Sequence, residues 1–154
     1  MIEPWATDWG VAHAATLARS FRHWLRRDLP VAAVEPSDLA QALFSAPFVL
    51  VSHGTQADPV LTYGNRAALA LWEMSWDELT RTPSRLTAEP VAREDRARLL
   101  AEVTQHGHIA NYAGVRISKF GRRFRIAQAI VWNLLDEHGA PCGQAAMFDR
   151  WDYL

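Results

Sequence analysis

A chain of 154 residues is long enough to bury a real core, and its length fits one domain with an accessory segment. With 49% hydrophobic and 21% charged residues it reads as an ordinary globular protein, and its net charge of −1 excludes a global field that would recruit nucleic acid or anionic lipid. The single cysteine, Cys142, excludes an internal disulfide and a cysteine-based zinc cluster, which points to the reducing cytoplasm. No apolar run approaches bilayer length, and "MIEPWATDWG" lacks the basic-then-apolar order of a signal peptide.

In chain order, Trp9, His13, Leu17, Phe21 and Trp24 form a stripe at helical spacing over 9–27, with Arg19, Arg22, Arg26 and Arg27 opposite as a solvated face. Thr7 or Asp8 caps its start and Pro30 marks its end. "PSDLAQALF" predicts a short helix with Ser37 as N-cap. Residues 47–53 and 59–63 are apolar runs separated by "HGTQAD", a hairpin signal. Asn65 caps a helix over 66–73, and Ser75 with Glu78 forms a capping box for "WDELTR". Residues 91–107 predict an amphipathic helix with Leu99, Leu100 and Val103 inward and Gly107 at its C-cap. Three strands follow at 108–118, 122–135 and 142–151.

Helices, two strands, helices and three strands imply an α+β domain whose five-stranded antiparallel sheet carries helices on one face. With "SKFG" closing the first long hairpin, Val115 opposes Phe124, Ala113 opposes Ile126 and Asn111 opposes Gln128. One face then holds Val115, Ala113, Phe124, Ile126, Ile130 and Trp132, and it is the expected buried face. A three-residue connection would reverse this parity. Across the next hairpin Ile130 and Trp132 face Ala145 and Met147.

"YGNRAALALWEMSWDEL" resembles the strand–helix–helix segment of PAS domains, and "GVRISKFGRRFRIAQAIVWNLLDEHGAPCGQAAMF" resembles their three closing strands. "APFVLVSHGT", "PSRLTAEP" and "VWNLLDE" bring the likeness closer to the MEKHLA family, a PAS-related domain found alone in bacteria and at the C-terminus of plant class III homeodomain–leucine zipper factors. The likeness spans about residues 38–151. It implies an N-terminal helical extension over 1–36, a PAS-like MEKHLA domain over 37–154, and a stand-alone bacterial-type member with no DNA-reading role. The implied function is sensory or regulatory, through a small ligand held between the inner sheet face and the helices.

For such a ligand, largely apolar or aromatic, the expected wall is Tyr63, Trp72, Trp76, Trp132 and Met147, with Asn111 and Gln128 as paired amides on an otherwise apolar face. Core packing is the competing role for the aromatic residues, and mutual hydrogen bonding for the amides. An enzyme of isomerase or cyclase type would use His53, Tyr63 or Asp58 as acid or base. A ligand-free dimerisation module is the third reading. A homodimer through Trp9, Phe21 and Trp24 is the expected self-association, unless those residues pack on the outer sheet face.

Covalent flavin chemistry needs a cysteine motif that Cys142, on the last strand, does not provide. Haem would need His106 or His108, which sit in a turn, and that pair is also a weak metal signal. Ser52 and His53 are adjacent on a strand and point to opposite faces, which disfavours a nucleophile pair.

Overall fold

The computed structural model describes residues 2–33 and 35–154, so Met1 and Val34 of the N-terminal extension lie outside the described residues, as do the side chains of Pro90 and Val91. Five α-helices are described: α1 (Asp8–Leu25), α2 (Pro36–Phe44), α3 (Arg66–Trp72), α4 (Trp76–Leu79) and α5 (Pro90–His106). The strands are β1 (Val49–His53), β2 (Leu61–Gly64), β3 (His108–Ile117), β4 (Arg123–Leu135), β5 (Pro141–Phe148) and β6 (Arg150–Tyr153). They form one antiparallel sheet in the order β2-β1-β5-β4-β3, and β6 takes over from β5 beside β4. The expected fifth strand is therefore two strands, parted at Asp149.

Most helix ends carry the caps their residues predict. The Thr7 side chain accepts from Gly10 N, and Ser75 and Glu78 complete a reciprocal capping box. Gly107 closes α5 at φ 94°, and a Cβ there would fall 2.3 Å from the Trp24 ring, so the position needs glycine for both reasons. Ser37 does not cap α2: the helix begins one residue earlier at Pro36, and Glu35 at the N-cap supplies no side-chain bond.

Asn65 does more than start α3. Its Oδ1 accepts from Ala68 N and Leu50 N, both at 3.1 Å, while its Nδ2 donates to Leu43 O at 3.1 Å and Phe48 O at 2.8 Å. One fully buried amide thus ties the end of α2, the start of β1 and the start of α3 together.

The register of β3 on β4 differs from the expected one by one residue. Arg116 opposes Phe124 and Gly114 opposes Ile126. The connection has three central residues, Lys119–Gly121, closed by Ser118 N donating to Arg122 O, with Gly121 at φ 88°. Two bulges then move the faces again. Asn111 (φ 65°) is the extra residue in β3 and Gln128 (φ 55°) the extra residue in β4. Along β4, Phe124 and Ile126 share the inner face with Val131, whereas Ile130, Trp132 and Leu134 turn to the other face.

Both faces of the sheet are consequently covered. Helices α3 and α5 lie on the inner face, against Phe124, Phe148 and Val131. On the other face α1 presents Ala14, Leu17 and Phe21 to Leu50, Trp132, Leu134 and Met147, and α2 adds Leu43 and Phe44. Burying Leu17 and Phe21 alone contributes about 1.5–3 kcal/mol each. The Phe21 ring meets Trp132 edge-on at 5.0 Å, and Trp24 Nε1 donates to Asn133 O at 2.9 Å. Of the three residues expected at a subunit contact, Phe21 and Trp24 are therefore occupied within the chain, and Trp9 is 47% exposed.

Asn65→Asp should cost about 2–5 kcal/mol in urea unfolding, because aspartate caps α3 equally well but sets an acceptor against the carbonyls of Leu43 and Phe48. A loss below about 1 kcal/mol would show that the cap alone matters.

Candidate functional site

Between the inner sheet face and α3 and α5 lies a cavity of about 70 Å³. Sites for drug-sized ligands run to roughly 300–1,000 Å³, so this one suits a compact occupant. Its walls are mostly apolar, with Val51, Leu61, Ile126 and Val131 from the sheet and Leu99 and Leu100 from α5. The polar residues at the wall are His53, Trp72, Arg96, Tyr112, Arg116 and Gln144, together with Ser52 and Thr87.

Each polar group has a distinct local state. Gln144 Nε2 shares its two N–H groups among Leu100 O, Thr104 Oγ1 and Asn133 Oδ1, all at 3.0–3.1 Å, so it braces α5 against β4 and β5. Arg116 is 7% exposed; it donates to Val115 O at 2.8 Å and to the Tyr112 hydroxyl at 3.3 Å, and stacks over that ring. Arg96 donates to Ser84 Oγ at 2.7 Å, and burial, then the neighbouring Arg116 charge, lowers its pKa to about 10. His53 Nδ1 contacts Gly54 O at 2.9 Å, while its Nε2 is buried without a partner. Burial, reinforced by Arg96 and partly offset by the bond to Gly54 and by the nearby Gln144 side chain, holds the imidazole below its usual pKa. The Trp72 Nε1 donor is likewise buried and unpartnered.

Of the wall expected from sequence, only Trp72 lines this cavity. Asn111 and Gln128 are exposed at the two bulges, where positive φ takes their amides off the inner face. Tyr63, Trp76, Trp132 and Met147 all pack in the α1-side core. The Trp76 ring lies 5.6 Å from Tyr63 and 6.3 Å from Phe44 there. Trp132 changed sides because the Gln128 bulge reverses the alternation ahead of it.

Among the acid and base candidates, His53 reaches the cavity. Asp58 is exposed and pairs with Arg85 at 3.2 Å, and the Tyr63 hydroxyl is buried on the far face, where burial raises its pKa. His106 and His108 lie outside the cavity, the first exposed at the end of α5 and the second 6.4 Å from the Trp24 ring. Cys142 is exposed on β5. No group of three metal-ligating side chains occurs among the described residues. No described helix is long and apolar enough to cross a membrane.

Arg96 and Arg116 were absent from the expected site, although the sequence carried a signal for one of them. Arg96 stands on the same helical face as Leu99, Leu100 and Val103, an arginine inside an apolar stripe. The position of Arg116 was hidden by the one-residue register error.

On the far face, His13 Nε2 and Ser52 Oγ share a hydrogen bond of 2.9 Å, and Ser52 Oγ meets Thr62 Oγ1 at 2.8 Å. The His13 ring stacks on Trp9 at 4.5 Å, and burial lowers its pKa to about 4. Ser52 is fully enclosed, so the pair serves to seat α1 on β1.

An antiparallel sheet with α3 and α5 closing one face over a small cavity is the architecture of a PAS-like fold. Solved structures agree on the fold: a PAS domain of a Colwellia psychrerythraea protein superposes with a TM-score of 0.62 at 15% identity, covering 75% of this chain and 92% of that one. A light-oxygen-voltage domain studied with a flavin analogue superposes at 0.59 and 16% identity, covering 75% of this chain and 84% of that one. The MEKHLA domain matches residues 11–153, and the chain belongs to that family. The match begins inside α1, so the helix on the far face is included in it. Homeobox-leucine zipper protein HOX10 of Oryza sativa is 28% identical over 151 residues, and ATHB-8 of Arabidopsis thaliana 26% over 145. These alignments take in 94% and 92% of the chain but only 18% and 17% of the relatives' lengths.

Stability should fall as the pH drops from 6.5 towards 4, because the unfolded chain binds a proton at His13 in that window and the folded chain does not. The loss attributable to His13 should reach about 3 kcal/mol by pH 4. In His13→Gln, urea unfolding across this range should show a shallower slope that is not flat, since burial of His53 acts with the same sign. An unchanged slope would mean that His13 is protonated in the folded chain.

Proposed function

We propose that this MEKHLA domain is a sensory module that binds a small molecule in the cavity between the inner sheet face and α3 and α5, and passes the event on through protein–protein contact. The observation that carries this reading is the pairing of an internal space of about 70 Å³ with buried polar atoms on its wall, His53 Nε2 and Trp72 Nε1, that have no protein partner. Buried polar groups left without a partner cost about 1–3 kcal/mol each, so a bound molecule that satisfies them is favoured.

Transmission is supported by the alternation along β5. Gln144, Ala146 and Phe148 face the cavity side, while Ala145 and Met147 between them pack in the core under α1. A shift of this strand on ligand binding is thereby felt by the helix on the other face. Self-association through α1 would rest on Trp9, the exposed member of its aromatic set.

The test is thermal unfolding of the full chain against a panel of small metabolites, with native mass spectrometry of the freshly purified protein. A ligand at about 100 times its Kd should stabilise by about 2.7 kcal/mol and raise Tm by roughly 5–10 °C. Ala146→Leu, which fills the cavity, should abolish the shift, whereas Gln128→Leu, on the exposed bulge, should leave it intact. Absence of both an adduct and any ligand-dependent shift would overturn the reading, as would a shift that survives Ala146→Leu.

A further inference from the structure

Two guanidinium groups, Arg96 from α5 and Arg116 from β3, meet at one wall of the cavity. Arg116 is buried and Arg96 half-buried, and ordinary interiors pair such charges, because an uncompensated buried cation costs far more than a neutral polar group. Here neither arginine has an ion-pair partner among the described residues, and no carboxylate lines the cavity. The carboxylate nearest in the bonding network, Asp95, accepts from the Tyr112 hydroxyl at 3.5 Å on the solvent side and is already paired with Arg98 at 3.4 Å.

Donors outnumber acceptors around this space. Each arginine has five N–H donors; Arg116 places two of them and Arg96 one on protein oxygens. Trp72 Nε1 is a further buried donor with no acceptor. The neutral His53 imidazole, held below its usual pKa, donates from Nδ1 to Gly54 O, which leaves Nε2 as an unpartnered acceptor.

Resting on the ligand-sensing reading above, we infer that the cavity takes a short-chain carboxylate, its carboxylate group held by Arg96 and Arg116 and its apolar end set against Val51, Leu61 and Phe148. Three features favour this class. The fork of guanidinium donors matches a planar carboxylate in bidentate geometry. The space of about 70 Å³ admits an acid of a few carbon atoms and excludes nucleotides or flavins in this conformation. Most of the remaining wall is aliphatic and aromatic, so the occupant needs an apolar end as well as an anionic one.

The experiment compares acids with their amides, which keep size and shape while removing the charge. The full chain in low-chloride buffer at pH 7 is titrated with propionate, pyruvate, propionamide and pyruvamide, and separately with inorganic phosphate. Binding is read by Tm and by the Trp72 indole N–H resonance. The acids should raise Tm by several degrees and shift that resonance; the amides should bind at least about tenfold more weakly. In Arg116→Met the affinity for the acids should fall about tenfold or more, with the preference over amides lost. Where that variant does not fold, the acid–amide comparison on the unsubstituted chain decides.

Equal binding of acids and amides would overturn the anion inference and leave the ligand-binding cavity standing. Binding of phosphate in place of the acids would overturn the carboxylate assignment. No response to any of these probes would overturn the carboxylate assignment too. The sensing reading would fall with it only if the metabolite panel and the native mass spectrum were silent as well.

Discussion

Asn65 is the residue through which the two halves of this fold are joined. Its amide touches no ligand site, yet it satisfies backbone groups from α2, β1 and α3 at once. Those three elements belong to different layers. Helix α2 lies with α1 on one face of the sheet, α3 lies on the other, and β1 is a strand of the sheet itself. A side chain that both donates twice and accepts twice at full burial leaves no freedom in their relative placement. Trp72, at the far end of α3, owes its position against the cavity to that anchor.

The second constraint is the pair of bulges at Asn111 and Gln128. Without them β3 and β4 would each present one continuous apolar face, and Trp132 would stand beside Ile126. With them, the strands divide their side chains between two cores. Phe124, Ile126 and Val131 serve α3 and α5, and Ile130, Trp132 and Leu134 serve α1. Both bulge residues carry side chains at positive φ, a conformation that costs non-glycine residues energy and persists where the surrounding ladder demands it. Strand β5 yields to β6 in the same region, so the sheet is re-aimed at its centre.

Much of this was legible in the chain. Asn65, the Ser75–Glu78 capping box and the Gly107 stop are local signals, each decided within one helical turn, and all three hold. So does the α+β order, because hydrophobic period reports element type. Register was not legible, since it hinges on whether "SKFG" supplies three or four loop residues, and a one-residue difference moves every β3 side chain to the opposite face. Nothing in "IANYAG" or "IAQAI" announces a bulge by composition, because neither Asn111 nor Gln128 is glycine. The candidate site inherited both differences at Asn111, Gln128 and Trp132, whereas Tyr63 on β2 and Trp76 on α4 were misplaced independently of them. Four of the seven residues expected at the ligand, Tyr63, Trp76, Trp132 and Met147, are core on the α1 side, and two, Asn111 and Gln128, face solvent.

A sequence consistent at every level would place leucine or methionine at positions 96 and 116, where each side chain faces an apolar wall. The chain instead places a guanidinium at each, holding one over the Tyr112 ring and one on the Ser84 hydroxyl. Departures of this kind concentrate where function outweighs stability. Neighbouring cations repel, and with no carboxylate on the cavity wall that repulsion adds to burial in lowering the Arg96 pKa. An anion entering the cavity would remove that repulsion and draw α5 and β3 together, since one arginine comes from each. Gln144 already links α5 to β4 and β5, so the same displacement reaches the strand whose other face lies in the core beneath α1. A ligand held there would thus reach the far helix across a single strand, β5, through Gln144 on one face and Ala145 and Met147 on the other.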